Sequence, residues 1–153
     1  MSSKHLIDRW QPFIAAASKK FHVPQTWIRA VMRQESGGRT MMSEHRPITS
    51  AAGAVGVMQV MPQTYAEMRG TYHLGNDPYD PHDNIIAGTA YLRWLHGKYG
   101  FPNMFAAYND GPGNFDRYLA GKRQMPLETV NYLSDVSAAL APGKSAFRRS
   151  RPA

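Results

Sequence analysis

The stretch Trp27-Ile28-Arg29-Ala30-Val31-Met32-Arg33-Gln34-Glu35 has the hydrophobic spacing of an amphipathic helix. Ile28, Val31 and Glu35 stand at i, i+3 and i+7, so the Glu35 carboxylate continues the stripe that faces the core. Burial and the negative end of the helix dipole both disfavour the ionised carboxylate, so both raise its pKa. A carboxyl group that keeps its proton near neutral pH can act as a general acid. The alternative is a half-exposed glutamate in a fraying last turn, paired with Arg33 or Arg39.

Length and composition indicate one globular domain. The chain has 153 residues, of which 42% are hydrophobic and 19% charged. It contains no cysteine, which excludes disulfides and thiolate metal sites. The net charge of +7 favours an anionic partner, although much of it comes from the last ten residues. We therefore predict a folded domain over residues 1–141 and a flexible basic tail over residues 142–153.

The rest of the chain is predicted to be mostly α-helical. Residues 37–57 form a long connection rich in Gly, Ser, Thr and Pro, in which a short β-hairpin is the one regular element that we consider. Gly88, inside the longest predicted helix, indicates a close helix–helix approach. The predicted helices span residues 4–20, 24–36, 62–68, 83–99, 102–108, 114–120 and 126–140.

Three short motifs carry polar groups suited to a binding site. Gly53 and Gly56 permit tight turns that would bring Met58 and Gln59 to one place, and a glutamine amide suits a sugar hydroxyl or N-acetyl group. Taken alone, this segment is more typical of a flexible loop before a helix. The other two motifs are the pair Tyr108 and Asn109 at a helix break, and the pair Glu128 and Tyr132, four apart on one helical face.

Taken together and in order, these motifs resemble the catalytic domain of the soluble lytic transglycosylases, which share a fold with goose-type lysozymes. The resemblance covers about residues 20–140 and implies a single lysozyme-like helical domain. The matching segments are Glu35-Ser36, Gly56-Val57-Met58-Gln59 with Met61-Pro62, Asp80-Pro81 with Asn84-Ile85, Gly88 and Tyr91-Leu92, Ala107-Tyr108-Asn109 with Gly111-Pro112-Gly113, and Glu128-Thr129 with Tyr132.

The resemblance implies an enzyme that cleaves peptidoglycan between N-acetylmuramic acid and N-acetylglucosamine and leaves a 1,6-anhydro sugar. Glu35 would be the sole catalytic acid and base, and Tyr132 would match the tyrosine that is hydrogen-bonded near it. The implied substrate-binding residues are Ser36, Met58, Gln59, Tyr108, Asn109 and Tyr132.

Two departures from the family pattern leave alternatives open. The family usually has an aromatic residue soon after Glu-Ser, where this chain has Gly37 and Gly38. The segment 37–50 is also longer than usual, so it either rims the groove or is a neutral surface insertion. It brings Glu44 near the site, and a second carboxylate keeps hydrolysis open. A peptidoglycan-binding module without catalysis is a further alternative.

Other classes of function are poorly supported by the sequence. The histidines lack zinc-site spacing, the segment 77–84 lacks the glycine and glutamate of a calcium loop, and Asp83 is better explained as a helix cap. Outside the tail the cations form no helical stripe for nucleic acid. We therefore expect no metal, no cofactor and no nucleic-acid partner. We expect a monomer that binds peptidoglycan glycan strands, and envelope-spanning machinery is a candidate partner. The substrate implies the periplasm or cell envelope, although we see no signal peptide or membrane span.

Overall fold

The computed structural model describes residues 2–141, which form a mostly helical domain with one small antiparallel hairpin. The predicted fold class is confirmed, and the hairpin lies within the connection 37–57. The predicted tail, residues 142–153, lies outside the described residues. The elements are α1 (Ser3–Asp8), α2 (Gln11–Phe21), α3 (Gln25–Glu35), β1 (Met41–Ser43), β2 (Arg46–Pro47), α4 (Pro62–Tyr72), α5 (Pro81–Tyr99), α6 (Asn103–Asp110), α7 (Pro112–Leu119) and α8 (Leu127–Leu140).

Some helix boundaries differ from the predictions. The single helix predicted over residues 4–20 is two helices, because the chain breaks at Arg9 and Trp10. The Trp10 indole donates a 2.8 Å hydrogen bond to the carbonyl of Gly38, a partner that local spacing cannot reveal. Helix α4 continues past its predicted end to Tyr72. The predicted interruption between α6 and α7 shrinks to the single residue Gly111, whose φ is 88°.

Helix α5 is the centre of the fold and packs against α2, α4 and α6. Its residues Ile85, Leu92 and Leu95 are completely buried. Helix α3 packs against α8, so the end of α3 lies beside the first turns of α8. This arrangement brings Glu35, the last residue of α3, next to Glu128 and Tyr132.

The loop between the hairpin and α4 is fixed to α5 by buried polar and steric contacts. The side chain of Asn84 is fully buried; its oxygen accepts a 2.7 Å hydrogen bond from the Met58 amide, and its nitrogen donates to the carbonyls of Val55 and Pro78 at 2.9 Å. A Cβ atom at Gly88 would lie 2.6 Å from the Cβ of Met58. Gly88 therefore permits close approach of this loop to α5. The prediction that a second helix approaches at Gly88 is wrong, because the segment that approaches is the loop that carries Met58.

No helix within residues 2–141 combines the length and the apolar character that crossing a bilayer would require.

Candidate active site

Glu35 ends α3 with its carboxyl group largely shielded from solvent. Ile28 and Val31 on the same stripe are completely buried, as their spacing predicts. The residue is partly exposed, but burial of the carboxyl group, helped by the negative charge of Glu128, raises its pKa to about 7. Among the described residues it forms no ion pair with Arg33 or Arg39, which removes that alternative. At neutral pH a large fraction of Glu35 therefore carries a proton.

Two buried tyrosines lie close to this carboxyl group. Contact with the Tyr132 hydroxyl stabilises the Glu35 carboxylate and lowers its pKa, opposing the effect of burial. That hydroxyl is buried and, within residues 2–141, forms no hydrogen bond of standard geometry, so the contact is weaker than a full hydrogen bond. Burial and the nearby Glu35 charge raise the pKa of both Tyr108 and Tyr132, so both hydroxyls stay protonated.

Ser36 and Met58 are buried beneath the site. Ser36 is 4% exposed, and its hydroxyl donates to the Val57 carbonyl at 2.7 Å and accepts from the Gly38 amide at 3.0 Å. Met58 is completely buried, and its carbonyl accepts a 2.7 Å hydrogen bond from the Tyr108 hydroxyl. These bonds join the end of α3, the loop 55–60 and α6. In this structure, the hydroxyls of Ser36 and Tyr108 and the main-chain carbonyl of Met58 hold the elements around Glu35 together.

Gln59 and Asn109 are the partly exposed amides of the predicted set. Gln59 has a φ of 52°, and its side-chain nitrogen donates to the Gly56 carbonyl at 2.9 Å. This bond leaves the side-chain oxygen of Gln59 available as an acceptor. The side-chain oxygen of Asn109 accepts a 2.8 Å hydrogen bond from the Thr129 hydroxyl. The donors of Asn109 are therefore the groups that it can offer to a ligand.

The carboxylate whose charge raises the pKa of Glu35 is Glu128, whereas the insertion 37–50 had left Glu44 open as a second carboxylate near the site. Glu44 lies at the tip of the hairpin with 88% of its side chain exposed, beside His45. Glu128 lies in the first turn of α8 and raises the pKa of Glu35 by charge repulsion. The four-residue spacing of Glu128 and Tyr132 could have identified this carboxylate, because a residue four before Tyr132 on α8 must also face the end of α3.

One cluster of possible metal ligands occurs within the described residues, at the start of α5. Suitable atoms of Asp80, His82 and Asp83 lie within 4.8 Å of one another. The Asp80 carboxylate accepts from the Asp83 amide and caps α5, so the predicted capping residue was three positions too late. Asp83 instead accepts a 2.9 Å hydrogen bond from the Gly75 amide. These bonds give the two carboxylates structural roles.

The Gly37-Gly38 departure also has a structural explanation. A Cβ atom at Gly38 would lie 2.7 Å from backbone atoms of Leu6 and Ile7. Helix α1 thus covers Gly38, the second position after Ser36, and a larger residue there would push this helix away. The contact with α1 therefore accounts for a glycine at this place.

Known lytic murein transglycosylases are similar to this chain in sequence. The soluble lytic murein transglycosylase of Escherichia coli K12 is 34% identical over 121 residues, which cover 74% of this chain and 18% of that protein. Membrane-bound lytic murein transglycosylase C of Serratia proteamaculans is 31% identical over 138 residues, covering 80% of this chain and 37% of that protein. The chain thus spans roughly a fifth to two fifths of these relatives.

A solved structure extends the comparison to the fold. An inactive glutamate-to-glutamine mutant of lytic transglycosylase Slt from Pseudomonas aeruginosa superposes with a TM-score of 0.71 at 26% sequence identity, covering 93% of this chain and 25% of that one. The family described as Transglycosylase SLT domain matches residues 12–131. The chain therefore belongs to the transglycosylase SLT domain family.

Proposed function

We propose that this protein is a lytic transglycosylase that cleaves the bond between N-acetylmuramic acid and N-acetylglucosamine in peptidoglycan. The observation that carries the proposal is the buried Glu35 carboxyl, whose pKa is raised to about 7. Such a group is protonated often enough to donate and basic enough to accept a proton within one reaction cycle. The names of the relatives, and the inactive glutamate-to-glutamine mutant among them, support the same chemistry.

In the proposed reaction, Glu35 first gives its proton to the glycosidic oxygen as the bond to C1 of the muramic acid breaks. The resulting carboxylate then accepts the proton of the muramoyl C6 hydroxyl while that oxygen bonds to C1. The product is a 1,6-anhydro ring, no water is consumed, and Glu35 ends protonated as it began. Because the C6 hydroxyl belongs to the same sugar, its high effective concentration replaces a second catalytic carboxylate.

The surrounding residues fit supporting roles in this reaction. The Tyr132 hydroxyl, buried with no standard hydrogen bond of its own among the described residues, stabilises the Glu35 carboxylate after the first proton transfer. Gln59 and Asn109 offer amide groups to the sugar hydroxyls or N-acetyl groups. Tyr108, together with Ser36 and Met58, keeps the wall of the site in place. We assign these substrate roles on chemistry and position.

Substrate and charge together favour action in the cell envelope. Peptidoglycan carries carboxylates on its peptides, and the net charge of +7 attracts such a polymer. Added salt should therefore weaken binding to sacculi, and salt-independent binding would contradict this part of the proposal. We propose a monomer without cofactor, metal or nucleic acid, and an envelope-spanning assembly as the setting in which it acts.

The products of sacculus digestion test the proposed function. Purified sacculi are incubated with the protein, and the released muropeptides are identified by mass spectrometry. We expect 1,6-anhydromuramic ends, which are lighter than reducing ends by one water. Intact glycan that the protein binds but does not cleave would indicate a binding module and would overturn the proposed activity.

Hydrolysis of the same bond is a second candidate, favoured by Glu128. This carboxylate lies near enough to Glu35 to raise its pKa, and its exposed position would let it activate a water molecule. Reducing ends that are formed by the wild type but not by Glu128→Gln would support hydrolysis. Anhydro ends formed equally by the wild type and Glu128→Gln would support the transglycosylase reaction and exclude this role of Glu128.

A further inference from the structure

One face of α5 forms the floor of the candidate site and continues beyond it. Asn84 and Gly88 contact Met58, and Tyr91 contacts Tyr108 with ring centroids 5.4 Å apart. These three residues of α5 stand at i, i+4 and i+7, and therefore lie on one side of the helix. The loop 55–60 and α6 cover this side as far as Tyr91.

Trp94, three residues after Tyr91, lies at the border of this side of α5 and reaches the surface. This indole is 51% exposed, although tryptophan is among the costliest side chains to leave in water. Its ring is stacked on Tyr91 with an interplanar angle of 14° and a centroid distance of 6.1 Å. A single exposed aromatic is unremarkable, but this one continues a chain of rings that starts at Tyr108 beside Glu35.

Charged groups lie next to the exposed indole on the side of Lys98. The Lys98 ammonium lies 5.4 Å from the Trp94 ring centroid and 3.4 Å from the Asp116 carboxylate. Asp116 also accepts a 2.6 Å hydrogen bond from the Tyr99 hydroxyl. The exposed indole therefore carries the Lys98 ammonium over part of its ring, and the Lys98–Asp116 ion pair supplies a charged donor and a charged acceptor next to it.

This combination suits a sugar ring better than a purely apolar partner. A pyranose in a β-linked strand has a flat face of C–H bonds that packs on an indole, while its hydroxyls point outward to hydrogen-bonding groups. The continuity with the candidate site specifies which sugar strand would reach it. The Tyr108 and Trp94 rings both neighbour Tyr91, with centroids 5.4 and 6.1 Å from it, so a strand that extends from Glu35 past Tyr108 is directed toward Trp94.

We propose that Tyr91 and Trp94 form a stacking subsite for a distal sugar of the glycan strand, separate from the sugars that flank the cleaved bond. The subsite favours long strands over short ones, because only a long strand occupies both Trp94 and the site at Glu35. This inference rests on the proposed function, since it assumes that the strand is peptidoglycan.

The test compares binding of short and long peptide-free glycan strands by calorimetry, in the Glu35→Gln background so that no strand is cleaved. The variants are Trp94→Leu, Trp94→Phe and, as a matched control, Phe101→Leu. Phe101 is 54% exposed and stacks on Trp27, outside the chain of rings from Tyr108 to Trp94. Thermal unfolding of each variant shows that it is folded at the binding temperature.

We expect Trp94→Leu to weaken binding of an octasaccharide about tenfold, the loss of one well-packed aromatic contact, and to change tetrasaccharide binding much less. Trp94→Phe should recover most of the loss, and Phe101→Leu should leave both affinities unchanged. The tryptophan fluorescence of the Glu35→Gln protein should respond to the octasaccharide, and this response should disappear when Trp94→Phe is added, although calorimetry still detects binding.

The possible failures can be told apart. If Trp94→Leu and Phe101→Leu have the same effect on octasaccharide binding, the subsite is overturned while the proposed function stands. Equal weakening of both strand lengths by Trp94→Leu would likewise overturn a distal subsite. If the Glu35→Gln protein binds neither strand, the proposed function fails and the subsite fails with it.

Discussion

Replacing Glu35 by glutamine should change the pH dependence of folding stability, because the folded protein shields this carboxylate from water. Below pH 4.5, the ordinary value, the group is protonated in the folded and unfolded chains alike. Between pH 4.5 and about 7 the unfolded chain ionises first, so the free energy of unfolding falls as pH rises. Above about pH 7, Glu35 is ionised in both the folded and the unfolded chain, and the free-energy cost of burying its charge stays constant.

The size of this cost follows from the pKa shift. The pKa rises from 4.5 to about 7, and each pKa unit is worth about 1.4 kcal/mol, so the ionised group costs about 3 kcal/mol. Glutamine cannot ionise and avoids the cost. The stability of Glu35→Gln relative to wild type should therefore increase by about 3 kcal/mol between pH 4 and pH 8, or about 6–12 °C in Tm for a chain of this size.

Urea unfolding at a series of pH values, followed by circular dichroism, measures this difference. The other titrating groups are common to both proteins, so their contributions cancel. Glu44→Gln is the matched control, because it makes the same change at a side chain that is 88% exposed. A stability difference between Glu35→Gln and wild type that does not change with pH would show that Glu35 is not desolvated and would refute the reasoning.

Three further predictions test the contacts around the site. Gly88→Ala should lower the free energy of unfolding by about 1–3 kcal/mol, because the new methyl group would overlap with Met58. Gly97→Ala is the control, since the space around Gly97 is open, and it should stabilise α5 by about 0.5–1 kcal/mol. Equal effects of the two substitutions in thermal unfolding would contradict the close approach of Gly88 to Met58. Asn84→Ala should cost about 2–4 kcal/mol in urea unfolding, because it leaves the Met58 amide without its partner, and a loss within error of zero would contradict that role. Tyr132→Phe removes a group that lowers the pKa of Glu35, so the alkaline limb of the pH–rate profile should move to higher pH; movement to lower pH would refute the assignment.

The local pattern was sufficient to predict the acid helix and its buried stripe. Ile28, Val31 and Glu35 take their places through helical periodicity alone, and α3 begins one residue after its predicted start at residue 24. The long helix α5 follows from an apolar stripe that continues to Tyr99, whereas the connection 37–57 left a short hairpin open without predicting its strands.

Contacts between distant parts of the chain account for what the sequence analysis missed. Asn84 sits in the first turn of α5, where asparagine is unremarkable, yet its side chain holds a loop 26 to 29 residues away. The break at Trp10 depends on the carbonyl of Gly38, and the proximity of Glu128 to Glu35 depends on the packing of α8 against α3. Pairing of this kind is set by tertiary packing, which helical periodicity does not specify.

The most direct test of the proposed mechanism is the rate at which Glu35→Gln releases anhydro-muropeptides from sacculi, measured by mass spectrometry beside the wild type. Loss of a positioned acid and base should reduce the rate by about 10²–10⁴-fold, while sacculus binding and the fold are retained. Release of anhydro ends by Glu35→Gln at a rate near that of the wild type would contradict the account.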